Sequence, residues 1–169
     1  MKAKALADSE ELAFELALRI RHPSMDPDEL SRELSLEPTH TFRAGQLREP
    51  RSSASPASVH AESYWLGTLD PGAWLSDIWP GKFAGLSTAV RSSLKTTVWK
   101  NLGSALDVTA RVLFRAHISL FERIRMEGGQ ASLLVSLSPV AVDSFSVSAE
   151  VSQIFGELGI TIEFEMASD

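Results

Sequence analysis

An α+β fold is what the sequence predicts: a mostly antiparallel sheet of about five strands with helices packed on one face. Three observations carry the prediction. Apolar residues alternate with period two in several short runs, the pattern of a half-buried strand. Between these runs lie stripes at helical spacing, and capping and stop residues stand where each helix has to begin or end. The resulting order, β-α-β-β-α-β-α-β, fits a split βαβ arrangement.

The first strand spans 11–22, where Leu12, Phe14, Leu16, Leu18 and Ile20 alternate with Ala13, Glu15, Ala17, Arg19 and Arg21. Asp26-Pro27-Asp28-Glu29 then reads as a helix start, with Asp26 as cap, Pro27 in the first turn and Glu29 completing a capping box. Leu30 and Leu34 face the sheet, and Pro38 is expected to stop the helix by pushing its predecessor out of the α region. A short extended segment follows over 39–45, and a third strand with Tyr64, Trp65 and Leu66 over 63–69. Between them, 49–62 is rich in Ser, Ala and Pro, a composition that predicts a mobile loop.

Segment 70–103 looks like an insertion within a single domain spanning 1–169. Pro71, Gly72, Pro80 and Gly81 punctuate its first part, which also carries Trp74 and Trp79; helical character runs from about Phe83 to Asn101. Beyond Gly103 a second helix is expected from Ser104, with Leu106, Ala110, Leu113, His117, Leu120, Phe121 and Ile124 on one stripe and Gly128-Gly129 as its stop. Strand four is read at 131–137, a helix capped by Ser148 and ended by Gly159 comes next, and strand five runs from Ile160 with Glu163 and Glu165 on its outer side.

Several function classes recede on composition. With no cysteine in 169 residues, disulfides and thiol nucleophiles are excluded, and four histidines remain as soft metal ligands. Acidic residues interrupt the N-terminal apolar run, which argues against a signal peptide, and the longest uncharged stretch, 128–142, is too short and too polar to cross a membrane. The reading is therefore a cytoplasmic protein. A net charge of −6 argues against a nucleic-acid partner. The charge is uneven: eight basic residues stand against Asp107 and Glu122 between Lys82 and Arg125, and the chain from Gly128 onward holds six acidic residues and no basic one. A basic helix beside an acidic sheet edge is the ordinary meaning, and a field that steers a partner is the alternative.

The motifs Asp26-Pro27-Asp28-Glu29-Leu30, Leu36-Glu37-Pro38-Thr39, Phe42-Arg43-Ala44-Gly45 and Trp65 resemble the small bacterial family catalogued as domain of unknown function forty-two seventy-nine. The resemblance covers about half the chain and departs over 70–103. It implies a fold and a bacterial, cytoplasmic setting, and it transfers no catalytic residue.

No nucleophile elbow, phosphate loop or dinucleotide turn occurs, no cofactor is implied, and no histidine pair has metal-ligand spacing. His22 and His40 flank the first helix and could converge; His117 reads as a hydrogen-bonded core histidine. Four residues stand out as binding candidates. Arg43 and Gly45 form a polar bend able to bind an anion through backbone N–H groups, or simply a turn needing positive φ at Gly45. Trp74 and Trp79 lie in a loop, where tryptophan often anchors a partner. The preferred function is a non-enzymatic module that binds a protein partner, in the manner of bacterial immunity proteins. The alternative is a small enzyme or small-molecule sensor with a pocket between sheet and helices. The pattern sets no oligomeric state.

Overall fold

The computed structural model describes residues 14–48, 58–69, 102–138 and 146–166. Strand β1 (Phe14–His22) leads through helix α1 (Pro27–Leu34) to β2 (His40–Phe42) and β3 (Ser63–Thr68). Helix α2 (Leu102–Val108) continues as a π-helix over Thr109–Phe114, followed by α3 (Ile118–Met126), β4 (Gln130–Leu137), α4 (Ala149–Leu158) and β5 (Ile160–Met166).

The sheet has the order β2-β3-β1-β4-β5. Strand β1 is antiparallel to both β3 and β4, and β2 is antiparallel to β3. Only β4 and β5 run parallel, because α4 carries the chain back across the sheet between them. The first four strands thus have the order of a split βαβ, ferredoxin-like sheet, to which α4 and β5 add one strand.

Register decides what each strand buries. Phe14, Leu16, Leu18 and Ile20 share one face with Trp65 of β3 and with Ala131, Leu133 and Val135 of β4, and all of them are buried. Against them pack Leu30 and Leu34 of α1, Leu106 of α2, Leu120, Phe121 and Ile124 of α3, and Ile154, Phe155 and Leu158 of α4. The opposite face carries Glu15, Ala17, Arg19 and Arg21 of β1, whose side chains are half-buried or exposed.

Local chemistry explains most of the boundaries. Asp26 caps α1 by accepting from the Asp28 N–H at 2.9 Å, and Ser148 caps α4 by accepting from the Val151 N–H at 3.2 Å. Gly159 ends α4 in the left-handed region at φ 67°. Helix α1 stops three residues sooner than Pro38 predicts: Ser35 turns left-handed at φ 53°, and the Leu36 N–H donates to the Ser31 carbonyl at 3.2 Å. That closure satisfies the last carbonyls and tucks Leu36 into the core, so the helix is already finished when proline arrives.

The expected long helix from Ser104 is also modified. It begins at Leu102 and includes Gly103, widens into the π-helix, and breaks at His117, whose φ and ψ of −119° and 32° leave the helical region. The wider turn shifts the buried face, so that Thr109, Ala110, Val112, Leu113 and Phe114 all lie inside. His117 is half-buried at the break instead of sitting in the core.

Part of the basic run pairs with acidic residues of neighbouring helices. Arg111 pairs with Asp107 at 2.9 Å and with Glu150 of α4 at 2.5 Å; Arg115 also reaches Glu150, at 3.4 Å. Arg123 joins α3 to Glu33 of α1 at 2.6 Å. Exposed pairs of this kind contribute roughly 0–1 kcal/mol each. Three of the four described arginines of the basic run, Arg111, Arg115 and Arg123, thus have acidic partners within the chain.

Candidate functional site

Positions of opposite parity to the core place a distinct set of side chains on the face of the sheet turned away from the described helices. Phe42 lies directly across from Tyr64, and His40 across from Leu66. Tyr64 and Leu66 in turn face Arg21 and Arg19 of β1. Farther over, Ala17 faces Leu134, and Leu134 faces Glu163 of β5.

The β2–β3 corner of this face is aromatic. The Phe42 and Tyr64 rings stack with centroids 4.9 Å apart and 10° between their planes, a separation equal to the spacing of neighbouring strands. On the other side of Phe42 the His60 ring stacks at 3.6 Å. His40 meets Phe42 and Tyr64 edge-on, at 5.9 and 5.8 Å. His60 is brought there by a short ladder beyond β2: the Gly45 N–H donates to His60 O at 2.8 Å, the His60 N–H to Gln46 O at 2.9 Å, and Leu47 pairs with Val59. Residues 58–60 are thus held in regular pairing; the rest of the expected loop, 49–57, lies outside the described residues.

Charge surrounds the rings. Burial, then Arg48, then His40 hold the His60 imidazole below its ordinary value near 6.5, a sign of positive potential at this corner. At the far side the Ser132 hydroxyl and the Arg19 guanidinium hold the Glu163 carboxyl below the usual carboxylate range. Arg19 and Glu163 are ion-paired across β4.

A histidine that binds its proton less readily when folded favours the unfolded chain as acid is added. The associated stability is complete above pH 6.5 and is lost as pH falls through that value toward the folded pKa. His117, lowered by burial against the opposing pull of Glu33, has the same sign. We expect the His60 ring protons to titrate below pH 6.5 by NMR, and His60→Gln to flatten the decline in melting temperature between about pH 7 and 5. A His60 midpoint at or above 6.5 would show that Arg48 and His40 are not near the ring.

The sequence candidates fall as follows. Gly45 has φ 78°, the turn conformation for which glycine is needed. Every backbone N–H of the bend is engaged: Arg43 donates to Gln46 Oε1 at 3.0 Å, Ala44 to Ser63 Oγ at 3.1 Å, Gly45 to His60 and Gln46 to the Arg43 carbonyl at 3.1 Å. The Arg43 guanidinium clamps Asp26, at 2.9 Å, and Asp28 at the start of α1. The bend is a closed turn that locks β2 to α1, and it offers no backbone donor to an anion. Trp74 and Trp79 lie outside the described residues.

His22 and His40 do not converge, because their parities put them on opposite faces of the sheet. His22 is buried, its Nδ1 accepts from the N–H groups of Ser24 and Met25 at 3.1 and 2.8 Å, and its Nε2 lies 3.2 Å from Glu127. Among the described residues no group of three or more His, Asp or Glu side chains is placed to hold a metal ion. No helix among them is long and apolar enough to cross a membrane.

Phe42, Tyr64 and His60 were not singled out as site residues from the sequence, and His40 only as a possible partner of His22. Their only signal was parity, since positions 40 and 42 fall on the wet side of one strand and 64 on the wet side of the next. No family model, curated protein or solved structure matches the chain, so the resemblance to domain of unknown function forty-two seventy-nine rests on its motifs alone.

Proposed function

We propose that the chain is a non-enzymatic interaction module that binds another protein through the face of its sheet turned away from the described helices. In the bacterial cytoplasm that the motif resemblance implies, its role would be to occupy a partner, as immunity proteins do. The observation that carries this reading is the stacked column of His60, Phe42 and Tyr64, set beside the half-buried Arg19 and the exposed Arg21. Aromatic and arginine side chains dominate the energetics of protein interfaces, and a sheet presents them on a rigid frame. Stacking fixes the rings before any partner arrives, which lowers the entropy lost on binding.

Against the alternative of a pocket between sheet and helices stands the burial of Leu18, Leu106, Leu113 and Leu133 in that layer, each 0% exposed. The face is tested by a photo-reactive amino acid at Thr68, exposed on that face, and separately at Met126, exposed at the end of α3. In cells, crosslinks to protein are expected from Thr68 and not from Met126. Equal crosslinking from both positions, or none from Thr68, would overturn the reading.

A further inference from the structure

His22 closes β1 with a buried ring whose two nitrogens have different surroundings. Its Nδ1 accepts from the backbone N–H groups of Ser24 and Met25, at 3.1 and 2.8 Å. A ring nitrogen that accepts carries no proton, so the neutral imidazole has its proton on Nε2. That Nε2 is buried and makes no hydrogen bond, although a Glu127 carboxylate oxygen stands 3.2 Å away. A buried polar atom left in this state calls for a reason. The ring has no room to turn and find another partner, because Gly129 packs against its edge: a Cβ there would stand 2.6 Å from His22 Cδ2.

A second proton, taken from solvent, acts on both sides of the ring at once. It has to settle on Nδ1, where it sets one N–H against two others and ends both hydrogen bonds. On the other side the imidazolium is attracted to Glu127 whatever the alignment of Nε2. Among the described residues the remaining charged groups nearby are engaged elsewhere. Asp26 caps α1 and holds Arg43, Arg21 points to the opposite face of the sheet toward Glu62, and Arg125 of α3 lies over Gly159. From β3 the residue paired with His22 is the neutral Ser63. We propose that His22 is an acid-operated latch, whose second proton breaks the bonds to Ser24 and Met25 and releases the turn between β1 and α1. Met25, buried in the core, directly precedes Asp26, which caps α1 and together with Asp28 clamps Arg43 of the β2 bend. Release of the turn therefore reaches the start of α1 and the β2 bend while the sheet stays paired. The latch is independent of what the sheet binds.

NMR on the full chain between about pH 7.5 and 5 reads both halves of the device, the His22 ring nitrogens and the exchange of the Ser24 and Met25 amides, corrected for the pH dependence of chemical exchange. The ring should gain its second proton and the two amides should lose protection by about tenfold or more, the order one hydrogen bond is worth, at a common midpoint. Amides of the β1–β4 ladder should keep theirs. In His22→Asn the side-chain oxygen takes the place of Nδ1 as acceptor and cannot be protonated, so the amides should stay protected across the whole range. A doubly protonated His22 beside fully protected Ser24 and Met25 amides overturns the latch. So does a ring that takes no second proton until the whole chain unfolds, or an acid-induced opening that persists in His22→Asn.

Discussion

Replacing Trp65 with Ala is expected to cost about 3–5 kcal/mol, a large share of the stability of a domain this size. The side chain is 0% exposed on β3, at the centre of the layer between sheet and α1. Its Nε1 donates to Ser31 Oγ at 2.9 Å, and the same hydroxyl donates to the Pro27 carbonyl at 3.0 Å. Removing the indole therefore opens a cavity and takes from Ser31 the donor that ties α1 to the sheet. Trp65→Phe should cost less, because most of the volume remains. The ring also dictates its neighbour: a Cβ on Gly67 would stand 2.4 Å from Trp65 Cη2, a distance no packed pair sustains. Gly67→Ala should consequently be destabilising as well, because a buried indole has nowhere to swing. Urea denaturation of the three variants measures these losses. A value below about 1 kcal/mol for Trp65→Ala would mean that the ring is not in the core.

What the sequence made legible was local. The Asp26 and Ser148 caps, the Gly159 stop, and the alternation of β1 and β4 each depend on residues a few positions apart, and the structure has all of them. In β5 the alternation fades after Ile162, where Phe164 and Met166 are exposed at the sheet edge. Reading failed where a local signal had a competitor with no distinctive residue. Ser35 takes the left-handed conformation in place of a glycine, ending α1 before Pro38 acts. The break at His117 carries neither glycine nor proline; the turn is set by the packing of Phe114 and Phe121 on either side of it. The aromatic corner of the sheet was hidden for a different reason. Phe42 meets Tyr64 only through the β2–β3 register, and His60 reaches Phe42 only through its pairing with Gly45 and Gln46. Such long-range pairings have no period to read. Arg43 illustrates the converse: its motif was visible, but its task depends on Asp26 and Asp28 having the right geometry.

The π-helix makes the second large prediction, because it draws three aromatic rings together. Phe121 on α3 meets Phe114 at 5.1 Å and 86°, and Phe114 meets Phe155 of α4 at 5.3 Å and 74°. These edge-to-face contacts link α3, the π-helix and α4, and each is worth about 0.5–1.5 kcal/mol beyond the area it buries. Phe121 itself is 1% exposed. Phe121→Ala should therefore cost about 3–5 kcal/mol, and Phe121→Leu distinctly less, since leucine refills most of the space but loses the edge contact. Phe114→Ala should cost at least as much as Phe121→Ala, because it touches both other rings. The double variant should cost less than the sum of the two, as the shared contact can be lost only once. Urea denaturation with an unchanged slope on denaturant would attribute these losses to the folded state. Strict additivity of Phe114 and Phe121 would mean that the rings do not touch, and a loss below about 1 kcal/mol for Phe121→Ala would mean that α3 packs on the sheet with another face.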